Sequence, residues 1–240
     1  MSTRRIKPLL AIALLAAVVL FGCDSLPGRP TQADLPLRPS DVTDFAALYG
    51  QNCAGCHGAD GKFGAALAMN NPVYLAIVDD ASMRRVIADG VMGTAMPPFA
   101  HSAGGSLTDR QIDILIAGIR KTWAGAPDAG AGAPPYSSST PGDSDRGTQV
   151  YAAKCQSCHG PEGKGGPAAG SVVDPFYLSL VSNQYLRTTV IAGRPELGQP
   201  DWKDDVAGQP LTPEQVSDVV AWLASRRPPV PGAGSIAQSH

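Results

Sequence analysis

Cysteine is scarce in this chain of 240 residues: there are five, and four of them fall in two short motifs, Cys53-Ala54-Gly55-Cys56-His57 and Cys155-Gln156-Ser157-Cys158-His159. Only Cys23 is left over, which excludes a structural disulfide framework once the motif cysteines are engaged. Aromatic residues are few, at 6%, against 27 glycines and 22 prolines, a composition that argues for small, loop-rich units. No charge of one sign predominates. The 19 Lys and Arg face 21 Asp and Glu, a net charge of −2, so nothing points to nucleic-acid binding. The long apolar run, Leu9 to Phe21, is 13 residues, short of the ~20 that a membrane-spanning helix needs. Methionine stops at Met96, and beyond His101 the only histidines are His159 and His240.

What is present is a covalent chemistry written twice. Two thiols three residues apart, with an imidazole directly after the second, form the pattern for attaching a c-type haem. The thiols of Cys53 and Cys56 add to the porphyrin vinyl groups, and the tethered ring then lies against His57, whose neutral imidazole can ligate the iron. Cys155, Cys158 and His159 repeat the arrangement, so two covalently bound haem c groups are predicted. Either motif alone can also be a redox dithiol or half of a zinc site. A zinc site of all four thiolates leaves His57 and His159 without a role. A bound haem also supplies apolar core that a short chain lacks.

The N-terminus predicts export. Arg4, Arg5 and Lys7 precede the apolar run, as in a secretory signal over residues 1–22. Leu20-Phe21-Gly22-Cys23 resembles the lipobox of bacterial lipoproteins, in which cleavage leaves Cys23 as a lipidated first residue; an uncleaved anchor is the alternative. Removing Arg4, Arg5 and Lys7 leaves 16 basic residues against 21 acidic, a net charge of −5. Residues 23–40 then read as a proline-bearing, lipid-anchored tether. The predicted location is the bacterial cell membrane, lipid-anchored on its periplasmic side.

Along the rest of the chain, helices are expected from Asp44 to Cys53, from Ser82 to Gly90, and from Thr108, an N-cap for the stripe Ile112, Leu115, Ile116 and Ile119. Residues 124–142 read as a flexible Gly/Pro/Ser-rich linker. A closing helix is expected from Thr212 to Ser225, and residues 229–240 as a disordered tail. The two halves are an internal repeat. Leu75, Arg84, Gly90, Pro97 and Phe99 correspond at one constant offset to Leu178, Arg187, Gly193, Pro200 and Trp202, and Asn71-Pro72-Val73-Tyr74-Leu75 matches Asp174-Pro175-Phe176-Tyr177-Leu178. On these motifs and this order of helices, the chain resembles class I cytochromes c, in a dihaem, membrane-anchored lipoprotein form. The resemblance implies an all-α fold of two tandem cytochrome c-like domains, residues 41–123 and 143–228. In that family the first and last helices cross with small and aromatic residues at the contact, a role that Gly147 and Tyr151 fit better than the bulkier Phe45.

The resemblance also implies a distal methionine before a proline, which Met96-Pro97 fits; Met69, Met83, Met92 and His101 are rivals. In the second half the equivalent position is Gln199, so that iron takes a weak amide oxygen, stays open or water-bound, or turns to Lys203 or terminal His240. Loss of the thioether predicts a lower potential for the second haem, and electron flow from the second haem to the first. Lys62, Lys164, Arg84 and Arg187 are candidates for haem propionates. The implied function is single-electron transfer between membrane-bound respiratory or photosynthetic complexes, from a quinol-oxidising complex to a terminal oxidase or reaction centre. The alternatives are a haem enzyme or gas sensor using the second haem, and a permanent electron-transfer subunit of a larger membrane complex.

Overall fold

The computed structural model describes residue 28 and residues 34–125, 128–203 and 209–229. Cys23, the predicted signal segment and His240 lie outside the described residues. The chain divides into two compact units, residues 1–41 and 42–240. The described part of the first ends in a 3-10 turn at Pro39–Asp41. The second unit holds both cysteine motifs, and its described residues are helical, with β pairing limited to two isolated bridges. No helix among the described residues is long and apolar enough to cross a membrane.

The first repeat contains α1 (Phe45–Asn52), α2 (Ala54–His57), α3 (Pro72–Ile77), α4 (Asp80–Asp89) and α5 (Asp109–Trp123). The second has the same order with α6 (Ser144–Lys154), α7 (Gln156–His159), α8 (Pro175–Leu180), α9 (Asn183–Ala192) and α10 (Pro213–Ala224). Most of these helices begin where a short polar side chain accepts a hydrogen bond from a free backbone N–H: Asp44 caps α1, Asn71 α3, Asp79 α4, Asp143 α6, Asp174 α8 and Ser182 α9. The two closing helices carry a full capping box. Thr108 and Gln111 bond reciprocally at the start of α5, and Thr212 and Gln215 do so at α10. The apolar stripe of α5 is interior: Ile112, Leu115 and Ile119 are each at most 2% exposed.

The opening and closing helices of each repeat cross closely, and the two crossings are reciprocal. In the second repeat the small residue is on the opening helix: a Cβ added to Gly147 would lie 2.1 Å from the carbonyl oxygen of Asp218 and 2.7 Å from Cβ of Trp222. Trp222 then stacks on Tyr151, ring centroids 4.1 Å apart. In the first repeat the small residue is on the closing helix. A Cβ on Gly118 would come within 2.1 Å of the Phe45 ring, so Phe45 does fill the crossing, and it meets Trp123 edge-on at 5.8 Å.

A second pair of equivalent jobs is done by residues that do not align. Arg120, on α5, bonds the carbonyls of Leu75 and Val78 at the end of α3 and pairs with Asp80 at 2.8 Å. In the second repeat Arg227, beyond the end of α10, bonds the carbonyls of Leu178 (3.0 Å) and Val181 (2.9 Å). Each guanidinium supplies donors to the exposed C-terminal carbonyls of a short helix.

The described part of segment 124–142 lies as a strap against the second repeat. Pro134 is among the fully buried residues. Arg187, 5% exposed, donates to the carbonyls of Pro135 (2.9 Å) and Tyr136 (3.1 Å) and to Ser217 Oγ (3.1 Å). Gln184 also bonds the Tyr136 carbonyl, and Trp202 Nε1 bonds that of Ala129.

Candidate functional site

Each Cys-x-x-Cys-His motif sits at the same corner. α1 ends at Cys53, and the chain turns at once into α2, which carries Cys56 and His57; α6 ends at Cys155, and α7 carries Cys158 and His159. The corner is tied to the opening helix by a tyrosine. Tyr49 donates to the carbonyl of Gly58 at 3.0 Å and Tyr151 to that of Gly160 at 2.7 Å. Burial is the main cause that pushes the Tyr151 hydroxyl up to about 12, so it keeps its proton and remains a donor. No disulfide joins any of the four motif cysteines.

The loop after each motif fixes its histidine. Nδ1 of His57 lies 2.7 Å from the carbonyl oxygen of Leu67, and Nδ1 of His159 lies 3.2 Å from that of Gly170. Leu67 and Gly170 are equivalent in the repeat. A ring whose Nδ1–H is held by a carbonyl presents Nε2 with its lone pair free, the tautomer a metal ligand requires. Burial, as the largest cause, lowers the pKa of His57, with the positive charge of Arg194 acting the same way and the Leu67 bond opposing it. The imidazole is thus held neutral.

The first thiol of each motif is shifted in the direction opposite to that of a reactive dithiol. Burial, then the neighbouring thiol, pushes Cys53 and Cys155 up to about 11, whereas a reactive Cys-x-x-Cys pair has a lowered pKa. Among the described residues no three His, Cys, Asp or Glu side chains gather into a group that would hold a metal ion, so the four thiols do not form one zinc centre. Two thiols at a helix corner and an imidazole held through Nδ1, presented together, suit a tethered porphyrin iron.

The distal loops of the two repeats have one backbone frame. Val91 N–H donates to the Met96 carbonyl at 2.9 Å, and Arg194 N–H donates to the Gln199 carbonyl at 3.0 Å. Each loop is pressed onto a glycine at the end of the preceding helix. Gly90 and Gly193 both have φ +65°, and a Cβ there would lie 2.5 Å from Pro98 N and 2.3 Å from the Pro200 carbonyl oxygen, respectively. Only glycine meets both demands. Met96 and Gln199 therefore occupy equivalent positions.

The rival side chains differ in their surroundings. Met92 is 96% exposed, and Met83 is packed in the core at 2%. Exposed His101 has Nε2 3.0 Å from the Ser106 carbonyl. Half-buried Met69 packs against the core, and Lys203 Nζ lies 3.9 Å from the Asp201 carboxylate. Gln199 Nε2 donates to the Thr189 carbonyl at 3.2 Å, which leaves its Oε1 as the acceptor. The charges expected near propionates have other partners: Arg187 binds the 124–142 strap, Arg84 pairs with Asp113, Lys164 with Glu162, and Lys62 lies over the Phe63 ring. The residues missed in the sequence are those that act through backbone, Leu67 and Gly170 on the histidines and Arg194 beside the first motif. A carbonyl partner carries no residue signature, so no sequence signal marks the first two.

Comparison with known proteins places these sites in a family. The family described as "Cytochrome C oxidase, cbb3-type, subunit III" matches residues 40–117 and 142–223. The Cbb3-type cytochrome c oxidase subunit FixPc of Rhizobium leguminosarum bv. viciae is 27% identical over 157 residues, 61% of this chain and 49% of that protein. Subunit FixP of Sinorhizobium medicae is 29% identical over the same length and shares, and subunit CcoP of Azospirillum sp. is 29% identical over 149 residues, 55% of this chain and 46% of its own. The chain spans about half the length of the curated relatives it matches.

Proposed function

We propose, from the premise that the chain belongs to the family of cbb3-type cytochrome c oxidase subunit III, that it binds two haem c groups and passes single electrons as a permanent subunit of a membrane oxidase. The relatives' names favour this subunit role over a free carrier shuttling between complexes. The observation that carries the reading is the duplicated site: in both repeats a pair of thiols at a helix corner precedes a histidine whose Nδ1 is held by a carbonyl.

Haem iron, when bound, supplies one-electron chemistry whose potential depends on its axial ligands and burial. Cys53 and Cys56, and Cys155 and Cys158, would tether the two rings as thioethers. His57 and His159 would hold the irons through Nε2, their rings fixed by the Leu67 and Gly170 carbonyls. Met96 would supply a thioether to the first iron and Gln199 an amide oxygen to the second. A thioether would favour reduced iron more than an amide oxygen would, so the Met96 side would hold the higher potential and would receive electrons from the Gln199 side. Cys23, lipidated, anchors the chain on the periplasmic face.

Optical redox titration of the detergent-purified protein, with and without carbon monoxide, tests this reading. Two separated waves, no carbon monoxide uptake and co-purification with oxidase subunits are expected; absence of covalent haem at either motif refutes it. A specific observation favours the ligand-binding alternative: Thr189 Oγ1 is buried without a hydrogen-bond partner, on the residue that holds Gln199. Rapid carbon monoxide binding by the reduced low-potential haem would select that alternative.

A further inference from the structure

The two repeats are joined by more than the segment between them. Asn71 Nδ2 donates to the Ala192 carbonyl at 2.9 Å in buried surroundings, and Ala95 N–H, next to Met96, donates to the Leu180 carbonyl at 3.1 Å. The third link comes from a charged side chain. Arg194 and Glu196 form an ion pair, Nε to Oε1 2.5 Å, with side chains only 9% and 8% exposed. The remaining arm of the same guanidinium reaches into the first repeat, Nη2 donating to the Gly64 carbonyl at 2.9 Å.

Gly64 belongs to the first motif's own loop. A Cβ there would lie 2.1 Å from the Cys56 carbonyl oxygen and 2.6 Å from the carbonyl carbon of His57, so whatever holds Gly64 holds the proximal histidine's backbone. The preceding residue, Phe63, has φ +62° although it is not glycine, and is 65% exposed. A bulky residue in that region is kept there by its surroundings. Arg194 is also joined to the other distal site, since its N–H and carbonyl both pair with the backbone of Gln199. In the first repeat Val91 and Gly93 stand where Arg194 and Glu196 stand in the second, so the pair has no counterpart in the first repeat.

The geometry points to Arg194 as a positioning residue for the first haem: paired with Glu196, it clamps the loop that comes after His57 and sets the local charge there, joining that loop to the second repeat's distal loop. This rests on haem occupying the first motif. A guanidinium with its carboxylate is close to neutral as a unit, and removing either partner leaves an uncompensated charge in a poorly solvated place. The two removals therefore have opposite signs at the first iron. Arg194→Gln leaves a carboxylate, which favours ferric iron; Glu196→Gln leaves a guanidinium, which favours ferrous iron.

The test is a redox titration of the full-length, haem-loaded protein, with the waves assigned by His57→Tyr and His159→Tyr, each displacing its own. At fixed poise, Arg194→Gln is expected to lower the reduced-to-oxidised ratio of the first haem by roughly three- to tenfold, tenfold being about 59 mV for one electron. Glu196→Gln is expected to raise that ratio, and Arg194→Lys, which keeps the charge, to restore most of the potential lost in Arg194→Gln. A first-haem potential unmoved by both variants, moved the same way by both as general loosening would do, or a shift confined to the second haem would overturn the proposal. The mass of the peptide bearing Cys53 to His57 separates the two levels. A peptide without haem mass refutes haem occupancy itself, whereas normal haem content with unmoved potentials refutes only the clamp.

Discussion

The reciprocal helix crossings predict opposite outcomes for the same substitution, Gly→Ala, in the two repeats. Alanine at position 118 gains about 0.8–1.0 kcal/mol of helix propensity over glycine. Against this, its Cβ would sit 2.1 Å from the Phe45 ring, so the ring must retreat by roughly 1.3 Å to reach ordinary contact at 3.4 Å. A shift of that size belongs at the upper end of overpacking costs, about 3 kcal/mol. The net expectation for Gly118→Ala is about 2 kcal/mol of destabilisation, or roughly 4–8 °C in Tm for a cooperative unit of this size. In a Phe45→Ala background the obstacle is gone and only propensity remains, so the same change should stabilise by about 1 kcal/mol, a coupling of about 3 kcal/mol. Gly147→Ala meets a different obstacle, the backbone carbonyl of Asp218 at 2.1 Å, and after it Cβ of Trp222. Trp222→Ala removes neither atom, so the coupling there should be below about 0.5 kcal/mol. Guanidinium denaturation of the four single and two double variants, each haem-loaded, measures both cycles. Equal cost of Gly118→Ala with and without Phe45, or rescue of Gly147→Ala by Trp222→Ala, would refute the packing argument.

If Met96 and Gln199 hold equivalent distal positions, Gln199→Met should raise the second haem's potential and Met96→Ala lower the first's. Each shift should be on the order of 0.1–0.2 V, a fraction of the ~0.8 V that axial ligands span, and optical titration reads both; potentials unchanged in either variant would remove that residue from the ligand set. Asp218, 4% exposed, accepts Arg146 Nε at 2.8 Å and Asp143 N–H at 2.7 Å, and the Arg146 bonds are the first cause that holds its carboxyl below the ordinary value, burial opposing them. A depressed carboxylate stabilises the fold above its unfolded pKa and loses that contribution as pH falls through the folded one. Denaturation midpoints of wild type and Asp218→Asn should therefore differ by a constant amount above about pH 5 and converge below about pH 4; a gap that persists undiminished to pH 3 would contradict the assignment.

Much of this molecule is legible because its determinants are local. A cap or a capping box lies within four residues, so the start of α5 at Thr108 and of α10 at Thr212 can be read directly. The haem motifs are equally compact. The expected start of α4 at Ser82 is late because the helix runs Asp80–Asp89 behind the carboxylate cap of Asp79, and two adjacent aspartates read as loop charges until one is seen accepting the Ser82 N–H. What the sequence hides is whatever binds backbone. Arg120, Arg187, Arg194 and Arg227 all direct donors to carbonyls, which every residue carries and none advertises. The equivalence of Arg84 and Arg187 in the repeat accordingly suggests a shared role, while the structure gives one an aspartate and the other a strap.

The crossing at Phe45 shows why a repeat misleads when read one position at a time. Taken alone, Phe45 is too bulky for a contact that Gly147 fills in the second repeat. The contact is a property of a pair, however, and the space that Phe45 occupies is vacated on the other helix by Gly118. Close packing constrains the summed volume at a crossing and leaves open which helix supplies the large side chain. Divergence between two copies of one fold can therefore exchange large and small residues across a contact while both crossings hold the same corner beneath the same cysteine. The distal loops differ in the other way: the frame from Val91 to Pro97 and from Arg194 to Pro200 is kept, and the side chain at its centre changes from Met96 to Gln199. Constancy of frame with a changed central side chain is the pattern expected when one scaffold is to hold two sites at two potentials.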